Sequence, residues 1–215
     1  MPLSIVSFLI VVAALLLLPR VSRIVIALAA GGAIGRQALA RQPDRIELRE
    51  AGLQAWKDPA AAQRLSEPLL VLGYELAGTF TVPELSGVVV RLLVHSRECV
   101  LAAVYEHPRA GYWIDVATRY VGGTSFTASS CLDRGLATRP GHPIVHLPGT
   151  EPAALHERLL ASRPKAGMER PDSRGAARTF EQAFADGMAW RKSQGISTAE
   201  VVTVAVRPVR KQRAA

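Results

Sequence analysis

The chain has 215 residues, of which 49% are hydrophobic and 20% charged, with a formal net charge of +8. That length holds one ordinary domain with appendages, and the hydrophobic content excludes a chain that is disordered throughout. The positive charge does not by itself indicate a nucleic-acid protein, because it is not on the folded part. Residues 1–49 carry +4, from Arg20, Arg23, Arg36, Arg41, Arg45 and Arg49 against Asp44 and Glu47. The tail after Val206 carries another +4, from Arg207, Arg210, Lys211 and Arg213, while residues 50–206 balance 16 basic against 16 acidic side chains. A nucleic-acid domain concentrates its excess on its own binding face. Basic flanks beside an apolar run suit an anionic membrane surface instead, where each cation contributes about 1 kcal/mol. For the tail, simple solvation is an equally open reading.

Residues 3–18 read LSIVSFLIVVAALLLL, without a charge and followed by Pro19 and Arg20. As a helix the run spans roughly 24 Å, which suits a membrane anchor when end residues and snorkelling arginines contribute. A second run over 24–35, IVIALAAGGAIG, carries small residues at Ala27, Gly31 and Gly35, a four-residue spacing that lets helices approach closely. It reads either as the return arm of a short helical hairpin or as an interfacial continuation of one span. A cleaved signal peptide is the rival, since Ala27-Leu28-Ala29 has the A-x-A form. Its flanks disagree: no Lys or Arg precedes the apolar core, and Arg20 and Arg23 sit where cleavage would fall. The glycines also lack the G-x-G-x-x-G order of a dinucleotide-binding turn. Arginines following the anchor predict a cytoplasmic domain.

The expected organisation is a membrane anchor over 1–40, a helical connector over 41–70, an α+β globular domain over 71–206 and a basic tail over 207–215. Within the connector, Asp58-Pro59 suits a helix start, and Pro68 predicts a break or restart. From Val71 short β-rich runs alternate with turn residues, which predicts a mainly antiparallel meander of five to six strands. The strands are expected near 74–82, 88–95, 99–106, 111–120, 124–130 and 144–147. Residues 88–94 are apolar at nearly every position, as in a central strand covered on both faces. Residues 111–120 alternate, with Tyr112, Ile114, Val116 and Tyr120 on one face and Trp113, Asp115, Ala117 and Arg119 on the other. Helices follow: one over 151–162 with Thr150 as its cap, and one over 176–194 with Gly195 as stop. Phe180, Phe184 and Met188 on the longer helix read as a stripe packed on the sheet. Ser197 with Glu200 forms a capping box for a last short element, helix or strand.

Chemistry-bearing residues are few. His142 and His146 lie four apart on an expected strand edge, facing one way, with Cys131 in the loop before them. A metal site needs three or four ligands, and no companion spacing supplies them. Cys131, one of these histidines and Asp115 or Asp133 make a thiol triad on paper, but no nucleophile signature accompanies them. Tyr74, Tyr105, Tyr112, Trp113 and Tyr120 cluster on the meander and read as core packing, since a neutral domain lacks the cations that hold a phosphate chain. The Tyr105-Glu106-His107-Pro108 run and the long loop after Cys131 are the expected binding edges. No catalytic, cofactor or metal residues are assigned. The expected function is a non-enzymatic binding module at the cytoplasmic membrane face, with lipid as partner and anionic lipid as the expected contact of Arg20, Arg23, Arg207, Arg210, Lys211 and Arg213. The alternative is an enzyme acting on a membrane-associated substrate.

Overall fold

The computed structural model describes Ser22 and residues 29–206. The apolar run over 3–18, Arg20, Arg23 and the basic tail lie outside the described residues. Among those described, no helix is long and apolar enough to cross a membrane. The chain divides into two compact units: one ends its first segment at Gln42 and adds Arg134–Ala137 and the segment from Lys192, while the other comprises Pro43–Asp133 and Thr138–Arg191.

The larger unit is α+β, built on one seven-stranded sheet: β1 (Arg49–Glu50), β2 (Glu75–Thr81), β3 (Val89–His95), β4 (Val100–His107), β5 (Gly111–Arg119), β6 (Ser125–Ser129) and β7 (Ile144–His146). The strands lie in chain order, antiparallel from β1 to β6, with β7 parallel to β6. This corrects the expected five or six strands. The seventh, β1, is two residues long and is defined only by its pairing with Phe80 and Thr81, so no periodicity marks it. The parallel closure follows from the long loop before β7, because a parallel neighbour needs a crossover of a dozen or more residues. Cys99, expected at the start of a strand, instead takes φ 55° in the turn before β4.

Between β1 and β2 the chain forms a 3₁₀ turn (Leu53–Ala55) and helix α2 (Pro59–Val71). Asp58 caps α2 by accepting from the Ala61 N–H at 3.0 Å, and Pro59 opens it. The expected break at Pro68 does not occur; the helix runs three residues further. Leu69, fully buried, holds that last turn on the sheet, so packing offsets the hydrogen bond Pro68 cannot donate. Helix α3 (Pro152–Ser162) is preceded by Glu151, not Thr150, and no side chain caps it. Helix α4 (Ala176–Gln194) ends at Gly195, with φ 73°.

The central strand β3 sorts the core. Val89 and Leu93 face α2 and α3 with Ala62, Leu69, Val100, Val104, Ile114, Val116, Leu155 and Leu159. Val90, Leu92 and Val94 face the other way, where Ile46, Phe80, Ala103 and Ala176 complete a second cluster. The first layer is closed by fully buried leucines, each worth about 1.5–3 kcal/mol. The second is thinner. Of α4 only Ala176 is fully buried; Phe180 and Phe184 pack against the cluster half-buried, and Met188 is not part of it. The expected stripe is therefore a pair of contacts.

In the smaller unit, residues 29–40 form helix α1 and Thr198–Val206 form helix α5. The expected capping box is present: the Glu200 carboxylate accepts from the Ser197 N–H at 2.9 Å, and Ser197 Oγ accepts from the Glu200 N–H at 3.2 Å. Gly31 and Gly35 do allow a close approach, to the C-terminal segment. A Cβ at Gly31 would lie 2.9 Å from the Thr198 side chain, and one at Gly35 would lie 2.8 Å from the Ile196 carbonyl oxygen.

Two outcomes follow. Phe184→Ala should cost about 2 kcal/mol, roughly half the penalty for a fully buried aromatic, whereas exposed Arg178→Ala should change stability by about 0.5 kcal/mol or less, as measured by chemical denaturation. Gly35→Ala, which in an isolated helix would stabilise by about 1 kcal/mol, should here loosen the C-terminal segment and speed limited tryptic cleavage at Arg191 and Lys192.

Candidate functional site

The thin layer leaves a cavity of about 180 Å³ between α4 and the face of β4, β5 and β6. Strand alternation determines its floor: Leu101, Ala103 and Tyr105 come from β4, Asp115, Ala117 and Arg119 from β5, Ser125 and Thr127 from β6. Thr179, Phe180, Ala183 and Asp186 of α4 form the roof, and Arg139 and His142, from the loop before β7, close one end.

The two ends differ chemically. At one, register places Asp115 opposite Ser129 and Ser129 opposite His146, a polar rung across three strands. Ser129 Oγ donates to Asp115 at 2.5 Å. Burial raises the Asp115 pKa; Ser129, Tyr105, Trp113 and the nearby His146 oppose the rise. Tyr105 stacks on Trp113 at 4.6 Å, and burial, followed by the field of Asp115, raises its hydroxyl pKa well above the ordinary value. At the other end Ser125 Oγ and His142 Nδ1 are hydrogen-bonded at 2.8 Å. Arg139 pairs with Asp186 at 3.9 Å, and Arg119 reaches Glu169 at 3.6 Å and the Thr179 carbonyl at 3.4 Å. Burial lowers the His142 pKa, and Arg139 and Arg119 lower it further.

The structure thus brings together several residues singled out in the sequence. Asp115, Cys131 and His146 converge, but not as a nucleophile and its base. His146 Nδ1–H donates to the Cys131 carbonyl oxygen at 3.0 Å, the Cys131 N–H donates to Ser129 Oγ at 3.1 Å, and the Ser129 proton goes to Asp115. Asp133 is exposed in the loop and outside the cavity. Neither Cys99 nor Cys131 is in a disulfide. Among the described residues, no group of three or more His, Cys, Asp or Glu is arranged to hold a metal ion. Of the Tyr105-Glu106-His107-Pro108 run only Tyr105 enters the cavity. Glu106 accepts from the Lys57 N–H at 2.8 Å and from the Tyr112 hydroxyl at 3.0 Å, and His107 Nδ1 accepts from the turn N–H groups of Arg109 and Ala110. The aromatic cluster is likewise split between the two faces of the sheet.

Sequence reasoning missed Arg139, whose role depends on a helix distant in the chain. It also missed a polar network beside α3. Buried His156 is hydrogen-bonded through Nδ1 to the Tyr74 hydroxyl at 2.7 Å and stacks on His95 with ring centroids 5.9 Å apart. Buried Arg163 donates to Thr118 Oγ1 and to the Glu98 carbonyl, both at 2.6 Å, and pairs with the Glu98 carboxylate at 3.5 Å. No short motif links these positions. Compared with known protein families, curated proteins and solved structures, the chain matches none.

Burial lowers the His156 pKa, aided by His95 and Arg163 and opposed by Glu98. The folded state therefore favours neutral imidazole more than the unfolded chain does. This contribution is complete above the ordinary value of 6.5 and is lost as pH falls through 6.5 towards the folded-state pKa. Melting temperature should fall between pH 7.5 and 5, and His156→Gln should flatten that dependence; an unchanged slope in the variant would assign the loss to other groups.

Proposed function

We propose that this protein is a membrane-tethered, non-enzymatic binding module whose ligand seat is the cavity beneath α4, on the cytoplasmic side. The observation that carries the reading is the cavity itself: apolar side chains interrupted by a few convergent polar groups are the usual form of a small-molecule site. The tether rests on the charge-free run over 3–18 as an N-terminal transmembrane helix, single-pass or the first arm of a hairpin. The arginines after it support the orientation in a bacterial-type cell. Arg20, Arg23, Arg207, Arg210, Lys211 and Arg213 are assigned to anionic lipid. One observation favours the second reading, an enzyme on a membrane-associated substrate: Asp115, which lines the cavity, is linked through Ser129 to Cys131 and His146. The hydrogen bonds of that end favour binding over catalysis, because they direct the Ser129 proton to a carboxylate and the His146 Nδ1–H to a backbone carbonyl.

Thiol labelling of the full chain in spheroplasts tests the placement. Cys99 and Cys131 should react with a membrane-impermeant maleimide only after lysis; labelling of intact spheroplasts would reverse the orientation, and a chain extracted by carbonate would remove the tether. Ligand-observed NMR of a fragment mixture with the full chain in nanodiscs tests the seat. Bound fragments should be returned unchanged, and new resonances that vanish with His146→Ala would establish the enzyme instead.

A further inference from the structure

The two guanidinium groups at the polar end of the cavity are poorly matched to the partners they have. Arg139 lies 3.9 Å from Asp186, and Arg119 lies 3.6 Å from Glu169 and 3.4 Å from the Thr179 carbonyl. A charge-assisted N–H···O bond is typically about 2.7–2.9 Å, and an arginine offers five donors in a planar fork that fits a carboxylate in two-point fashion. Both arginines line the cavity, as does Asp186. Ser125, paired with Arg119 across the strands, adds a hydroxyl, and burial, aided by the two arginines and opposed by Asp186, disfavours a proton on His142. The opposite end is different. Ala103, Phe180 and the Tyr105 ring present carbon, and the one acid there, Asp115, already accepts from Ser129. The volume of about 180 Å³ slightly exceeds that of an engineered cavity of about 150 Å³ that accepts benzene, so the ligand has one ring or a short chain.

We infer that the cavity binds a small carboxylic acid with a monocyclic or short aliphatic body, its carboxylate on Arg119 and Arg139 and its body between the sheet and Phe180. Binding would replace two long ionic contacts with short bidentate ones and leave the apolar end dry. This inference rests on the reading of the cavity as a ligand seat. It ranks amines and neutral alcohols of the same shape below the acid, since the Asp186 carboxylate that also lines the cavity is already paired with Arg139.

The test uses the full chain in nanodiscs, with empty nanodiscs as blank, titrated against 4-fluorobenzoate, 4-fluorobenzyl alcohol and 4-fluorobenzylamine by fluorine NMR. The benzoate should bind at least about tenfold more tightly than the alcohol. Arg139→Gln should weaken the benzoate by about tenfold and change the alcohol less than about twofold, and Ala117→Leu, which narrows the floor, should remove both. Should the alcohol or amine bind as tightly as the benzoate, or should Arg119→Gln and Arg139→Gln together leave the benzoate unmoved, the ligand class is wrong while the seat stands. If none of the three probes binds the wild-type chain and Ala117→Leu changes nothing, the seat itself is wrong.

Discussion

A strand that is apolar on both sides must be covered on both sides, and β3 imposes that constraint on the larger unit. Val89 and Leu93 cannot be buried by the same layer as Val90, Leu92 and Val94, because successive side chains leave a strand in opposite directions. The chain supplies α2 and α3 for one face and α4 for the other. The two covers are unequal. Leu69, Leu155 and Leu159 close the first face completely, whereas α4 places only Ala176 and two half-buried phenylalanines on the second.

The cavity follows from that inequality. Beyond β3, on β4, β5 and β6, the second face is floored by small or polar residues, Ala103, Ala117, Ser125 and Thr127, which do not rise far enough to meet α4. A close-packed interior tolerates few such gaps, so one with ordered polar groups at its ends is a feature requiring explanation. The Asp115–Ser129 bond stiffens one end of the gap, and the Arg139–Asp186 pair links the loop before β7 to α4 at the other. The proposed ligand would complete a layer that the chain alone leaves thin.

The smaller unit obeys a different rule, close approach in place of large side chains. Gly31 and Gly35 bring α1 against residues 196–198 at distances that no Cβ would allow. The segment leading out of the apolar N-terminal run and the segment leading into the basic tail therefore meet.

Much of this was legible in the sequence wherever the signal was local. Alternation assigned Tyr112, Ile114 and Val116 to one face of β5 and Trp113, Asp115 and Ala117 to the other; Ser197 with Glu200 marked the start of α5; and Gly195 marked the end of α4. Each depends on residues within a few positions of one another. The two-residue strand β1, the continuation of α2 through Pro68, the depth to which Phe184 is buried and the meeting of Arg139 with Asp186 were not legible. In each, a partner far along the chain overrides or completes a weak local preference. Composition and periodicity by themselves determined that there is a sheet, which strand is central and which side chains share a face, since those follow from the geometry of the extended backbone. Only the tertiary structure decided how well each face is covered, and therefore where a cavity lies and which charged groups front on it, because that depends on the fit between elements distant in sequence.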